Sequence, residues 1–315
     1  MGDGFKLWVQ CLQTITFLLT KLDFKVITSC QTGEVFNLPQ TADCGSLSFR
    51  LFQNKGVLTL EIAGNFYKLL KKECNSGDFS YVDLYKAIQI LVNEYRINPF
   101  TARVVNFELG PNLRLGVDYS VKEILDSIVC YQGKAAVRDN FNGKGDYYRF
   151  DQGEFSLKIY DKGQHCLKSQ SNILRIELKA VRNRLLRDAF GITHLIDLLD
   201  VDKLHLMSQY LVKRLNYFIV YERSIDLKVI SEKDREFLLR YKDQHEWGLL
   251  WNTNAEKHRK VRNRFNKLVC RQSGRNLIKE LQTLVEQKGK TLLACRKEED
   301  ALIKKEIIQW ATSFQ

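Results

Sequence analysis

Proline is nearly absent, with three in 315 residues. Serine- and glycine-rich runs are also few, which argues against long disordered linkers. Eight cysteines are scattered, at Cys11, Cys30, Cys44, Cys74, Cys130, Cys166, Cys270 and Cys295. No C-x-x-C pair occurs among them, so a zinc ribbon or a thioredoxin-type site is not supported. No signal-peptide pattern is present, and the thiols read as reduced, in a cytoplasmic protein. Long apolar runs are missing as well. The Leu7–Leu22 stretch contains Gln10 and Gln13, is too short to span a bilayer, and reads as a core element. There is no Gly-x-x-x-x-Gly-Lys loop, which leaves an ATPase without support. There is no His-x-His pair and no internal repeat.

Acidic residues are outnumbered, and the formal net charge is +12. Such an excess favours a polyanionic partner, most simply nucleic acid, although a generally basic protein would show the same sum. The excess is uneven. Between Glu256 and Lys305, 15 Lys/Arg stand against 6 Asp/Glu, which leaves +9 in that segment. Within it, Lys260, Arg264, Lys267 and Arg271 recur at helical spacing. They form a candidate stripe for a phosphate backbone. A solvated helix face is the alternative.

The apolar fraction of 44% can form a substantial core. Val57–Gly64 alternates as a strand, with Leu58, Leu60 and Ile62 on one face. A helix to about Tyr95 follows, capped by Asp78 or Ser80. Ala102–Leu109 reads as a strand with Val105, Phe107 and Leu109 on one face and Asn106 and Glu108 on the other. Gly110-Pro111-Asn112 closes it as a turn. Ser120–Val129 reads as a short helix. From Ile192 to about Tyr221 the period becomes helical, and from Ser231 onward only helices are expected. Strands buried on both faces would be continuously apolar, whereas these alternate. The pattern predicts an α+β fold: an antiparallel or mixed sheet with helices on one face, over residues 1–225. An all-helical basic C-terminal region, 226–315, follows it.

The richest stretch is Asp146–Asn183. Phe155, Leu157 and Ile159 alternate with Ser156, Lys158 and Tyr160. Leu174, Ile176 and Leu178 alternate with Arg175, Glu177 and Lys179. Each strand therefore has an apolar face and a polar one. The polar faces gather Tyr160, Lys162, Arg175, Glu177 and Lys179, and Glu61 and Glu108 come from earlier strands. Carboxylates on adjacent strands can hold Mg2+ or Mn2+. A tyrosine hydroxyl can attack a phosphodiester covalently. Lys162 can stabilise developing negative charge, and Arg175 and Lys179 can contact phosphates. An ordinary polar sheet face with cross-strand ion pairs would read the same way.

The KIYDKGQ run (Lys158–Gln164), followed by LRIELK (Leu174–Lys179) and a basic helix start, resembles rolling-circle replication initiators of phages and plasmids. The similarity is to filamentous-phage gene II-like proteins and plasmid replication initiation factors. INPFTARVVNFELGPN (Ile97–Asn112) and the YKDQHEW segment are similar to stretches of replication proteins from phage-like elements of Bacteroidetes. The likeness spans roughly Val57 to Lys288 through short, degenerate motifs. It implies an enzyme that nicks one strand of single-stranded or supercoiled origin DNA through a tyrosine, with Mg2+ or Mn2+. Such an enzyme stays joined to the 5′ phosphate and leaves a 3′ hydroxyl. A host replication helicase or polymerase is a further implied partner. The nucleophile lies on the strand before the YDK strand, so the order of expectation is Tyr148, Tyr147, Tyr160. Glu108 and Glu177 match the acids of the shared segments as metal ligands. His165 joins them, because the paired-histidine motif of other rolling-circle enzymes is missing. A non-catalytic DNA- or RNA-binding protein, acting through its C-terminal helices, is the alternative function.

Overall fold

The computed structural model describes all residues except 1, 29–30, 74–76, 118, 140–144, 167–171 and 315. The chain opens with strand β1 (Gly2–Val9) and helix α1 (Leu12–Lys21). Four strands follow: β2 (Lys25–Thr28), β3 (Val35–Cys44), β4 (Leu47–Asn54) and β5 (Val57–Asn65). Helices α2 (Phe66–Lys71) and α3 (Tyr81–Tyr95) lead to β6 (Arg103–Leu109) and β7 (Asn112–Arg114). Then come α4 (Val121–Ser127), β8 (Ile128–Tyr131), β9 (Val137–Asp139), β10 (Tyr147–Asp151) and β11 (Phe155–Asp161). A single turn, α5 (Lys162–His165), precedes β12 (Ile173–Ala180). Helices α6 (Asn183–Phe190) and α7 (Val201–Leu215) and the short β13 (Phe218–Val220) complete this part. The rest is helical: α8 (Glu232–Tyr241), α9 (Gln244–Thr253), α10 (Ala255–Ser273), α11 (Leu277–Leu293) and α12 (Lys297–Ser313).

The architecture is α+β. One large sheet runs in the order β2-β3-β4-β5-β1-β6-β12-β11-β10-β9, with β7 also pairing β12. Every ladder among the described residues is antiparallel. Strict alternation builds it. Leu157, Ile159, Ile176 and Leu178 are wholly or almost wholly buried on one face, as are Phe49 and Ile62 further along. Burying each such side chain contributes about 1.5–3 kcal/mol. Helix starts obey their caps: Ser80 with Asp83 and Ser120 with Glu123 form reciprocal capping boxes. Ser231 accepts from the Asp234 amide.

The expected strand at Ala102–Leu109 forms, with one change of face. A register shift of β6 against β1 falls beside Val105. Such a bulge reverses the alternation. Val104, not Val105, is therefore buried with Phe107 and Leu109.

The apolar face of the sheet packs against α1, α3, α4, α6 and α7. Helices α11 and α12 return to the same core through Leu281, Val285, Ile303 and Trp310. The division at residue 225 expected from the sequence therefore cuts through one core. Helices α8 to α10 gather instead around a second cluster with Trp247, Phe265, Leu238 and Ile219. Trp247 Nε1 donates to the Tyr241 carbonyl at 2.7 Å. No described helix is long and apolar enough to cross a membrane. Cys11, Cys44, Cys130, Cys270 and Cys295 are free thiols. Cys166 is disulfide-bonded, which departs from the expectation of reduced thiols throughout. Cys30 and Cys74 lie outside the described residues.

Candidate functional site

The polar face of the sheet is organised by register. Tyr147 on β10 lies opposite Tyr160 on β11, which lies opposite Arg175 on β12. The next row is Arg149, Lys158 and Glu177. Then come Ser156, Lys179 and, on β6, Glu108. Three separately read segments thus converge on one surface.

Their charges alternate. The Arg175 guanidinium binds the Glu177 carboxylate through Nε. Lys158 Nζ stands between the two acids, 3.5 Å from Glu177 Oε2 and 3.0 Å from Glu108 Oε1. Lys179 Nζ reaches the same Glu108 oxygen at 2.8 Å. The Tyr160 hydroxyl donates to Glu177 Oε1 at 3.2 Å. Arg175 also donates to Asn112 Oδ1 at 2.7 Å and to Asp3 Oδ2 at 3.0 Å. Asp3 comes from β1, where a register irregularity between Gly2 and Phe5 interrupts the alternation. No sequence pattern announces Asp3. Its pairing with Arg175 becomes readable only with the strand order.

Much of this cluster is withdrawn from solvent. Glu177 is 2% exposed, Arg175 4% and Lys162 1%. Burial alone would raise the Glu177 carboxyl, but Arg175 and Lys158 outweigh it and hold the group well below the usual carboxylate range. Burial raises Asp3, and Arg175 offsets this only in part. Burial opposes the charged form of Lys158, yet Glu177 and Glu108 lift its pKa above the ordinary lysine value. Burial, with Arg175 nearby, pushes Lys162 down to about 8. Its ammonium lies 5.5 Å from the centre of the Tyr160 ring.

The three tyrosines are separated by face. Tyr148 points to the apolar side, 5% exposed within the main core, with the Arg138 guanidinium over its ring at 4.8 Å. Tyr160 is buried, and burial with the Glu177 charge drives its hydroxyl far above the usual pKa. Tyr147 is half-buried on the polar face, its ring 5.7 Å from that of Tyr160. Burial raises its pKa, and Lys158 and Arg149 counter the rise. The expected order of nucleophiles therefore changes: Tyr147 shares the face with Glu108 and Glu177, and Tyr148 does not.

Glu108 and Glu177, expected as metal ligands, are separated by Lys158. The ammonium of Lys158 fills the space between Glu108 and Glu177 in which a divalent ion would sit. His165 packs edge-on against Tyr160, ring centres 5.9 Å apart. Among the described residues no group of three His, Cys, Asp or Glu could hold a metal ion. In this arrangement Lys158 and Lys179 compensate the two carboxylates, and a Mg2+ or Mn2+ ion there would have to displace Lys158.

Two glycines let the backbones close over the site. A Cβ on Gly110 would lie 2.2 Å from the Ile176 carbonyl oxygen and 2.7 Å from Glu177 Cα. One on Gly4 would meet the Glu108 carboxyl at 2.8 Å. At Gly110 only glycine allows such approach, whereas at Gly4 the end of the Glu108 side chain would have to shift.

The expected phosphate contacts divide. Arg175 is buried and fully engaged, so it is not presented to a phosphate. Lys179 remains partly exposed beside Glu108. On α10, Arg264 and Arg271 both bind Asp234 of α8, at 3.0 and 3.5 Å, and Arg264 covers the Phe237 ring. Half of the stripe therefore fastens α8 to α10. Lys260 pairs with Glu256 at 2.8 Å, one turn away, and Lys267 is exposed.

No protein-family model matches the sequence, and no curated protein is similar to it. Among solved structures, the rolling circle replication initiator protein from Geobacillus stearothermophilus is similar with a TM-score of 0.40 and 11% identity. The match covers 75% of this chain and 90% of that one. A likeness this distant carries no argument about the site.

Proposed function

We propose that this chain is a replication initiator that nicks one DNA strand by transesterification, with Tyr147 as the attacking group. One observation carries the reading: the Tyr147 hydroxyl lies on the polar sheet face, flanked by Lys158 and Arg149, at the edge of the alternating-charge ladder. The KIYDKGQ and LRIELK segments that resemble rolling-circle initiators supply that ladder. In the reaction the Tyr147 oxygen would bond to phosphorus and lose its proton. The P–O3′ bond would break, and the departing 3′ oxygen would take up a proton. One phosphoester replaces another, and no water is consumed. Lys158 and Arg149 would meet the charge on the phosphoryl oxygens. Arg175, Glu177 and Asp3 would serve as positioning residues: Glu177 ties β12 to Tyr160 and Lys158 of β11, and Arg175 ties it to Asp3 of β1.

The expected Mg2+ or Mn2+ enters as a condition to be tested, because it would have to displace Lys158 from between the two acids. This same displacement favours the second reading, a DNA- or RNA-binding protein without catalysis. Conversion of supercoiled origin plasmid to the open circle separates the two. Nicking by the native chain, with or without a divalent ion, and its loss in Tyr147→Phe support the first reading. Binding without nicking under every metal condition supports the second.

A further inference from the structure

Away from the sheet site, a cavity of about 570 Å3 opens between α7 and α10. Tyr210, Lys213, Arg214 and Tyr217 line it from one side, and Arg262 and Asn263 from the other. No carboxylate lines it. None of Lys213, Arg214 and Arg262 forms an ion pair with a described residue, unlike Lys260, Arg264 and Arg271 on the same helix as Arg262.

The two arginines are fixed without an acid. Arg214 donates to the Tyr210 hydroxyl, and its guanidinium lies 4.3 Å from the Tyr210 ring centre and 5.1 Å from that of Phe155. Arg214 and Arg262 each stand 5.6 Å from the Tyr217 ring centre, so a single ring spaces two like charges. Ring stacking holds guanidiniums in place without neutralising them. An anion brought from outside would relieve the repulsion between them. A guanidinium that covers a tyrosine also offers its outer face to a nucleobase, and its N–H fork to a phosphate. Asn216 and Asn266 add amide donors and acceptors for a base edge. The volume suits one nucleotide unit and is too small for a duplex.

We infer that this pocket binds a nucleotide unit of single-stranded DNA, phosphate on Arg214 and Arg262 and base against the tyrosine–arginine stack. It is distinct from the sheet site. Phe155, which Arg214 covers, belongs to the apolar face of β11, whereas Lys158 belongs to the opposite face. The inference does not rest on nicking.

The test uses fluorescence anisotropy of labelled (dT)8 with the full chain at several salt concentrations. Arg262→Gln removes one phosphate partner. Asn263→Glu introduces an acid at an exposed lining position. Each should weaken binding about tenfold or more, the scale of a charge-assisted hydrogen bond. Arg262→Gln should also flatten the slope of log affinity against log salt by about 0.7. Arg262→Lys should restore that slope. Binding of (dT)8 is read without any nicking step, which keeps the outcome separate from the nicking reading. Unchanged (dT)8 affinity in both Arg262→Gln and Asn263→Glu would overturn the proposal. Binding of dTMP as tightly as (dT)8 would overturn the assignment to a DNA strand.

Discussion

Arg175 and Glu177 stand two residues apart on β12, on the same face, joined guanidinium to carboxylate and both almost wholly buried. Removing one partner of such a pair leaves an uncompensated buried charge, at a cost of about 3–5 kcal/mol. Glu177→Gln is therefore expected to lower the unfolding free energy by about that amount in a denaturant titration. Glu108→Gln, whose carboxylate is less enclosed, should cost clearly less. Equal stabilities of the two variants would show that the buried Arg175–Glu177 pair does not hold the ladder together. The comparison also guards the functional reading, because lost nicking in Glu177→Gln alone would report on folding.

Lys158 decides the metal question. Its ammonium competes with any divalent ion for Glu108 and Glu177. The native chain should show no tight Mn2+ site at these acids by titration calorimetry or Mn2+ EPR. Lys158→Gln, which removes the ammonium between the two acids while leaving Glu177 to Arg175 and Glu108 to Lys179, should bind Mn2+ more tightly. A tight native site that is lost on Glu108→Gln would contradict this.

Lys162 gives the stability a dependence on pH. Its folded pKa is pushed down to about 8 from an ordinary 10.5, because burial disfavours the charged form. Between those values the unfolded chain binds more protons, so stability rises with pH across that window. Below about 8 the full cost of burying the ammonium is present. Lys162→Met should remove this rise, worth about 3 kcal/mol at most. The difference between native and variant stability, measured from pH 7 to 10, should shrink as pH increases. A constant difference would mean that Lys162 is not held as described.

Gly110 is a packing requirement rather than a turn preference. An alanine there would drive its Cβ into the backbone of Ile176 and Glu177, which cannot move without parting β6 from β12. Gly110→Ala should cost about 1–3 kcal/mol or more, the scale of overpacking. It should lower the melting temperature more than Gly153→Ala, where only a positive φ is strained and no neighbour is met. The reverse order would remove the close approach from the account.

The period-two alternation of β11 and β12 was legible in the sequence because each strand has one wet or ion-paired face and one apolar face. The charged row Lys158, Arg175, Glu177 and Lys179 followed from it. The choice between Tyr147 and Tyr148 was also within reach. Phe150 and Arg149 continue the same alternation, which puts Tyr148 with the core and Tyr147 with the charges. Less could be read where the ladder is irregular. The bulge beside Val105 reverses a face, and the irregularity in β1 accompanies the Asp3–Arg175 contact. Both depend on strand pairs far apart in sequence. The insertion of Lys158 between two acids, and the use of Arg264 and Arg271 as clamps on Asp234, are tertiary choices among equally good charge partners. Composition does not distinguish them from phosphate contacts.

Mapping the covalent protein–DNA adduct decides whether Tyr147 is the attacking residue. Origin oligonucleotide, or supercoiled plasmid digested after reaction, is trapped on the full chain, and the linked peptide is sequenced by mass spectrometry. The expected result is a 5′-phosphotyrosyl bond at Tyr147, lost in Tyr147→Phe and kept in Tyr148→Phe and Tyr160→Phe. An adduct at Tyr148 or Tyr160, or one that survives in Tyr147→Phe, would contradict it.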